Sequence, residues 1–215
     1  TVGIIGSTGS GKTSLVNLIP RFYDATEGRV LVNGRDVRTY PPEELRNRIA
    51  VVPQKAVLFT GTIRTNLLWG NASATDTQLW EALAAAQAKE FVEAKGGLDE
   101  PVAQNGKNFS GGQRQRLTIA RALVRQAEIL ILDDSSSALD YATDAALRAS
   151  LQSLPYHPTV FLISQRTSAI RHADRIIVLE EGVPVGIGTH ETLLQTCEVY
   201  REIHESQYRK EESAQ

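Results

Sequence analysis

The chain has 215 residues, 41% hydrophobic and 22% charged, and its 23 Lys and Arg against 25 Asp and Glu leave a formal net charge of −2. These are globular values, suited to one large domain or two small ones. They exclude fibrous and intrinsically disordered classes and leave no basic excess for a counterion-driven grip on nucleic acid or acidic lipid. No apolar run approaches the roughly 18 residues that a membrane helix needs, and the single cysteine, Cys197, allows no internal disulfide and is expected to be inert. Thr1 opens a sequence without methionine, so this is expected to be a piece of a longer protein, soluble by itself.

Residues 2–5 are a β-branched run that meets the Gly-rich stretch GSTGSGKT, after which Leu15, Val16, Leu18 and Ile19 recur before Pro20. That order is strand, loop, helix. Residues 30–32 followed by Asn33-Gly34 predict a small antiparallel hairpin. Pro41-Pro42 opens a helix through Leu45, and residues 49–52 read as a buried strand closed by Pro53-Gln54. Residues 62–95 are an Ala-rich helical insert. Within it Thr75 and Gln78 form a capping box, and Leu79, Trp80, Leu83 and Ala86 lie on one face. The whole helical subdomain is expected over residues 62–125. Its last helix, residues 111–124, starts behind a Ser110 cap. Strand signals return at 129–132, 160–163 and 176–179, separated by helices at 140–154 and near Ser168, which predicts a mostly parallel α/β sheet. Glu181-Gly182 predicts a final hairpin turn and residues 191–194 a closing helix, while residues 206–215 (SQYRKEESAQ) read as a polar, flexible tail.

Gly6, Ser7, Thr8, Gly9, Ser10, Gly11, Lys12 and Thr13 fit G-x-x-x-x-G-K-[ST] between a strand and a helix, the context this phosphate-binding P-loop requires. Glycines let backbone N–H groups turn inward around an anion, and the following helix presents its positive end. Lys12 is then the group that reaches the β- and γ-phosphates, and the Thr13 hydroxyl a Mg²⁺ ligand. The apolar run 129–132 ends in Asp133, placed to be the second Mg²⁺ anchor. Taken alone an Asp after a strand is an ordinary turn residue.

Phe109-Ser110-Gly111-Gly112-Gln113, 20 residues before Asp133, decides among P-loop families. With GSTGSGKT, VVPQ at 51–54, NFSGGQRQRLTIARAL at 108–123, ILILDD at 129–134 and SALD at 137–140, the chain resembles the ATP-binding cassette (ABC) transporters over essentially its whole length, and LFTGTIRTNLLWG at 58–70 is similar to the exporter type. The resemblance implies an α/β P-loop NTPase fold with a mostly parallel core sheet, a small antiparallel element and a helical insert, all in one ATP-binding domain. It implies ATP and Mg²⁺ as ligands, with Ser14 joining the P-loop residues. It further implies head-to-tail pairing with a second such domain, whose ATP would be contacted by Ser110, Gly111, Gly112 and Gln113. Gln54 would ligate Mg²⁺ or the attacking water, Asp140 would report across the dimer interface, and the segment after Gln54 with the helical insert would meet transmembrane domains at the cytoplasmic face of the cell membrane.

The sequence departs from the family at two catalytic positions. Where the family places a glutamate general base, this chain has Asp134, one methylene shorter, and positioning errors of about 1 Å can cost on the order of a hundredfold. Where a switch histidine is normal, ISQR places Gln165, which donates a hydrogen bond but carries no proton. His157, His172, His190 and His204 fall elsewhere and read as surface or packing residues. The expectation is a hydrolysis-impaired cassette, one half of a heterodimeric exporter whose partner carries the missing groups. An ordinary homodimer using Asp134 as a weaker base is the alternative. A further departure is Val102-Ala103-Gln104-Asn105-Gly106 before SGGQ, where exporters commonly carry a glutamate. The family's adenine-stacking aromatic precedes the P-loop, and Tyr23 and Tyr40 lie on its wrong side. A regulatory ATP-binding module and a soluble cassette ATPase acting on DNA or ribosomes are the competing classes. Against the latter stand the missing heptad insertion between Gln54 and Ser110 and the balanced charge.

Overall fold

The computed structural model describes residues 1–135 and 137–212. The chain forms two compact units: Thr1–Ile49 with Ile131–Asp134 and Thr159 onward, and Ala50–Leu130 with Ser135–Pro158.

In chain order the elements are β1 (Val2–Gly6), α1 (Lys12–Asn17), β2 (Leu31–Val32), β3 (Arg35–Asp36), α2 (Pro42–Asn47), β4 (Ile49–Val52), β5 (Gly61–Thr62), α3 (Ile63–Leu68), α4 (Asp76–Ala85) and α5 (Lys89–Lys95). They continue with β6 (Pro101–Val102), α6 (Gly111–Val124), β7 (Ile129–Asp133), α7 (Tyr141–Gln152), β8 (Thr159–Ile163), α8 (Thr167–Ile170), β9 (Arg175–Glu180), β10 (Val183–Gly188), α9 (His190–Thr196) and α10 (Glu198–Glu212). Six strands make one sheet in the order β10-β9-β1-β8-β7-β4. β1 lies parallel to both β8 and β9, while β10 turns back antiparallel on β9. The expected mostly parallel sheet is therefore present. Its strands read as continuous apolar runs because both faces are covered: Ile4, Ile5, Ile131, Ile163, Ile176 and Val178 are at most 1% exposed.

The Asn33-Gly34 turn joins β2 to β3 with both residues in the left-handed region (φ 51° and 76°), as a two-residue hairpin of this type demands. In the second unit α6 packs against α3 and α4; Leu117, Ile119, Ala120 and Leu123 of α6 are buried, as are Ile63 and Leu67 of α3 and Leu79 and Leu83 of α4. The Thr75 and Gln78 capping box is formed. This unit extends beyond residues 62–125 because α7 joins it, touching α4, with the Gln87 amide donating to Ser150 Oγ at 2.8 Å.

One expectation is corrected. Residues 206–212, read as tail, are the last turns of α10. The helix is anchored by fully buried Tyr200 and continues because polar Gln207 finds partners in the fold, which a search for apolar periodicity misses. Residues 213–215 lie outside the described residues.

Candidate nucleotide site

β1 delivers the P-loop from the middle of the sheet. Gly6 closes the strand where no side chain fits: a Cβ there would stand 2.1 Å from the Leu179 carbonyl oxygen and 2.6 Å from Ser10 Oγ. Gly9 and Gly11 take φ values of 84° and 90°, which L residues rarely adopt. The β9–β10 turn buttresses the loop, with the Gly182 amide donating to the Ser10 carbonyl at 3.2 Å.

Lys12, the first residue of α1, is buried, and its ammonium donates to the Gly6 carbonyl (2.9 Å), the Ser7 carbonyl (2.6 Å) and Ser10 Oγ (3.3 Å). Burial pushes this ammonium below its usual pKa, while the carboxylates of Asp134 and Asp133 push it back up. Thr13 Oγ1 donates to Asp133 Oδ2 at 2.8 Å. A hydroxyl and a carboxylate separated by 120 residues are thus joined at the sheet's C-terminal edge, the two groups expected from the sequence as Mg²⁺ ligands. This donor set of hard oxygens suits an ion that takes most of its shell from water and phosphate, and no cluster of three or more His, Cys, Asp or Glu able to hold a metal occurs among the described residues.

Asp134 follows with φ 45°, and its amide donates to the Ile163 carbonyl at 3.0 Å. Beyond β8, the Ser164 amide donates to the Ile4 carbonyl and Gln165 is exposed. The end of β7, the end of β8 and the P-loop strand are therefore tied together by main-chain bonds, and Lys12, Thr13, Asp133 and Asp134 converge in the first unit.

The second unit carries the remaining candidates. Ser110 caps α6, accepting from the Gln113 amide (3.2 Å) while Gln113 Oε1 accepts from the Ser110 amide (3.0 Å). Gly111 has open space where a Cβ would be, and Ser110 and Gly111 are exposed. Gln54 is exposed just after β4. Asp140 is the N-cap of α7, accepting from the Thr143 amide (2.9 Å) and hydroxyl (2.7 Å), and these bonds hold its carboxyl below the usual range.

Sequence reasoning missed two supports. Gly182 was read only as a turn residue, and Gln207 was assigned to the tail. His204, read as a packing residue, also lies beside the segment after β8, with Nδ1 3.2 Å from Thr167 Oγ1.

The ABC transporter family model matches residues 1–137. The chain belongs to the ABC transporter family. An uncharacterized ABC transporter ATP-binding protein of Mycobacterium tuberculosis is 50% identical over 96% of this chain and 36% of its own length. The ATP-dependent lipid A-core flippase of Escherichia coli is 42% identical over 97% of this chain and 36% of its own. Among solved structures, a bacterial Atm1-family ABC exporter with ATP bound superposes with a TM-score of 0.90 at 35% identity, covering 94% of this chain and 36% of that one. The chain spans about a third of the length of these relatives. The chain is accordingly an ABC ATP-binding domain.

Proposed function

We propose that this domain binds and hydrolyses MgATP to drive an ABC exporter, pairing head to tail with a second nucleotide-binding domain at the cytoplasmic face of a membrane. The observation that carries the reading is the joined set of Lys12 on the P-loop carbonyls and Thr13 on Asp133. Lys12 would exchange its loop carbonyls for phosphate oxygens, and Gly6 to Ser14 would wrap the triphosphate. Thr13, Asp133 and Gln54 would hold Mg²⁺, which neutralises charge on the β- and γ-phosphates when bound. Ser110, Gly111, Gly112 and Gln113 would close over the partner's ATP, and Asp140 would lie near the dimer seam. The work is phosphoryl transfer by positioning and charge stabilisation, so the group that orients the water sets the rate.

That group is weakened here. Asp134 is short of the water position and Gln165 cannot carry a proton, so the domain's own site hydrolyses slowly and its SGGQ segment serves a partner subunit that fires. Val57, Phe59 and Trp69 offer an apolar face for a transmembrane partner: they are 38%, 45% and 69% exposed, and the Phe59 and Trp69 rings pack at a tilt of 41° with centroids 5.2 Å apart. The lipid A-core flippases and the Atm1-family exporter support the export role. No helix among the described residues is long and apolar enough to cross a membrane.

The test is Mg²⁺-dependent ATP turnover by the full-length protein and by an Asp134→Glu, Gln165→His double variant, with ATP binding measured for both. The impaired-site reading expects equal binding and at least a tenfold gain in turnover for the double variant. Equal turnover would establish the homodimer in which Asp134 is an adequate base. Absence of ATP binding in both would refute the nucleotide site itself.

A further inference from the structure

The segment after β8 is held by side chains of α10, chiefly Gln207. Gln207, on α10, spends its whole amide on it: Nε2 donates to the Gln165 carbonyl at 2.7 Å, while Oε1 accepts from the Thr167 amide at 2.9 Å and from Thr167 Oγ1 at 3.1 Å. His204, one turn earlier on the same face, adds its Nδ1 to the Thr167 hydroxyl at 3.2 Å. Thr167 is 2% exposed and His204 and Gln207 are half-buried, so the bonds to Thr167 are partly sheltered from water, while the bond to the carbonyl of exposed Gln165 lies at the surface. A primary amide suits this bracket because its donor and acceptor sit on separate atoms, one giving to a residue's carbonyl and the other accepting from an amide two residues on.

Two main-chain bonds tie this segment to the strands beside the nucleotide site, and a third bond lies within it. The Ile163 carbonyl accepts from the Asp134 amide, the Ser164 amide donates to the Ile4 carbonyl, and Ser164 Oγ accepts from the Arg166 amide at 3.0 Å. Gln165 thus sits between a fixed anchor on the sheet and a bracket on α10. We propose that Gln207 is a positioning residue for Gln165, setting from α10 the backbone that presents residue 165 to the γ-phosphate. The proposal rests on the reading of Gln165 as the residue at the switch position. Its consequence is regulatory in form: movement of α10 changes how the site distinguishes ATP from ADP, because only the triphosphate reaches residue 165.

The discriminating quantity is the ratio of ADP to ATP dissociation constants in the full-length protein, measured by titration calorimetry. Gln165→Ala calibrates the assay and is expected to reduce the preference for ATP. Gln207→Ala is expected to reduce it by a similar factor, about threefold to tenfold for one or two lost hydrogen bonds, while ADP affinity stays within twofold of wild type. Gln207→Glu should behave like Gln207→Ala, since a carboxylate meets the Gln165 carbonyl acceptor to acceptor. Leu193→Ala is the control for mere loss of stability. It truncates a buried residue of α9 that is 1% exposed, lowers the melting temperature, and leaves the ratio unchanged. A Gln207→Ala ratio equal to wild type, while Gln165→Ala shifts it, overturns the proposal alone. An unshifted Gln165→Ala overturns the reading of the switch position and the proposal with it.

Discussion

Two glycines of the P-loop are held by different physics, and alanine separates them. At Gly6 a new Cβ meets backbone: the Leu179 carbonyl oxygen at 2.1 Å and Ser10 Oγ at 2.6 Å. An unstrained carbon–oxygen contact needs roughly 3.3 Å, so β1 and β9 must separate by about 1 Å where they pair, with Gly6 opposite Leu179. Forced overpacking of this kind costs typically 1–3 kcal/mol, and because the obstacle is a main-chain atom in a central ladder the upper end, about 3 kcal/mol, is expected. At roughly 2–4 °C per kcal/mol for a domain of this size, Gly6→Ala should lower the melting temperature by about 6–12 °C. At Gly9 a Cβ meets nothing within 4 Å, and only the φ of 84° opposes it. The left-handed penalty of about 1 kcal/mol lowers the melting temperature by roughly 2–4 °C. Differential scanning calorimetry of the two variants, each with and without MgATP, reads both numbers. Equal melting temperatures, or Gly9→Ala as the more damaging change, would refute the view that close approach of β9 fixes Gly6.

Three further outcomes are expected. Lys12→Ala removes the ammonium on the loop carbonyls and should weaken MgATP binding by at least tenfold in equilibrium titration, with the far-ultraviolet dichroism unchanged. Tyr200 is fully buried with its hydroxyl 2.7 Å from His190 Nδ1, and burial, then the Glu191 charge, pushes it up to about 12. The folded state therefore keeps a proton that the unfolded chain loses near pH 10, so stability present below pH 10 is lost progressively toward pH 12, and Tyr200→Phe should flatten that decline in denaturant titrations. Ile131→Ala, at a fully buried position of β7, should cost about 2–5 kcal/mol and bring Asp133 out of register with Thr13, lowering stability and Mg²⁺-dependent nucleotide affinity together.

The parts of the fold that were legible are those in which local chemistry and burial agree. Ser110 with Gln113 and Thr75 with Gln78 announce helix starts because each side chain completes a capping box within four residues. Residues 129–132 announce a buried strand because both faces are covered. Thr13 and Asp133 could be read together, as two Mg²⁺ ligands, only because the P-loop and a strand-ending carboxylate occur in the same chain; their direct bond was not foreseen, since spacing alone is silent about a partner 120 residues away. α10 was not legible: the sequence pattern indicates a closing helix only at 191–194 and a tail from 206, and the docking of the last turns of α10 is polar. The bracket made by Gln207 uses two backbone groups, and backbone partners leave no trace in side-chain periodicity.

The same backbone logic bears on why an aspartate stands at 134. Its φ of 45° places it in the left-handed region, which Asp tolerates better than longer residues because its short carboxylate can bond locally. The conformation is enforced by the Asp134 amide on the Ile163 carbonyl, which ties the end of β7 to the end of β8. A glutamate there would add the reach that water positioning demands and would lose part of that local compensation. Asp134→Glu should therefore raise turnover while lowering the melting temperature by a few degrees, a trade of stability for chemistry at one residue. A variant that gained turnover with no loss of stability would mean that the backbone at 134 carries no strain for the longer side chain to worsen. On the impaired-site proposal, the rate deficit it expects would then lie wholly in the length of the carboxylate and in Gln165.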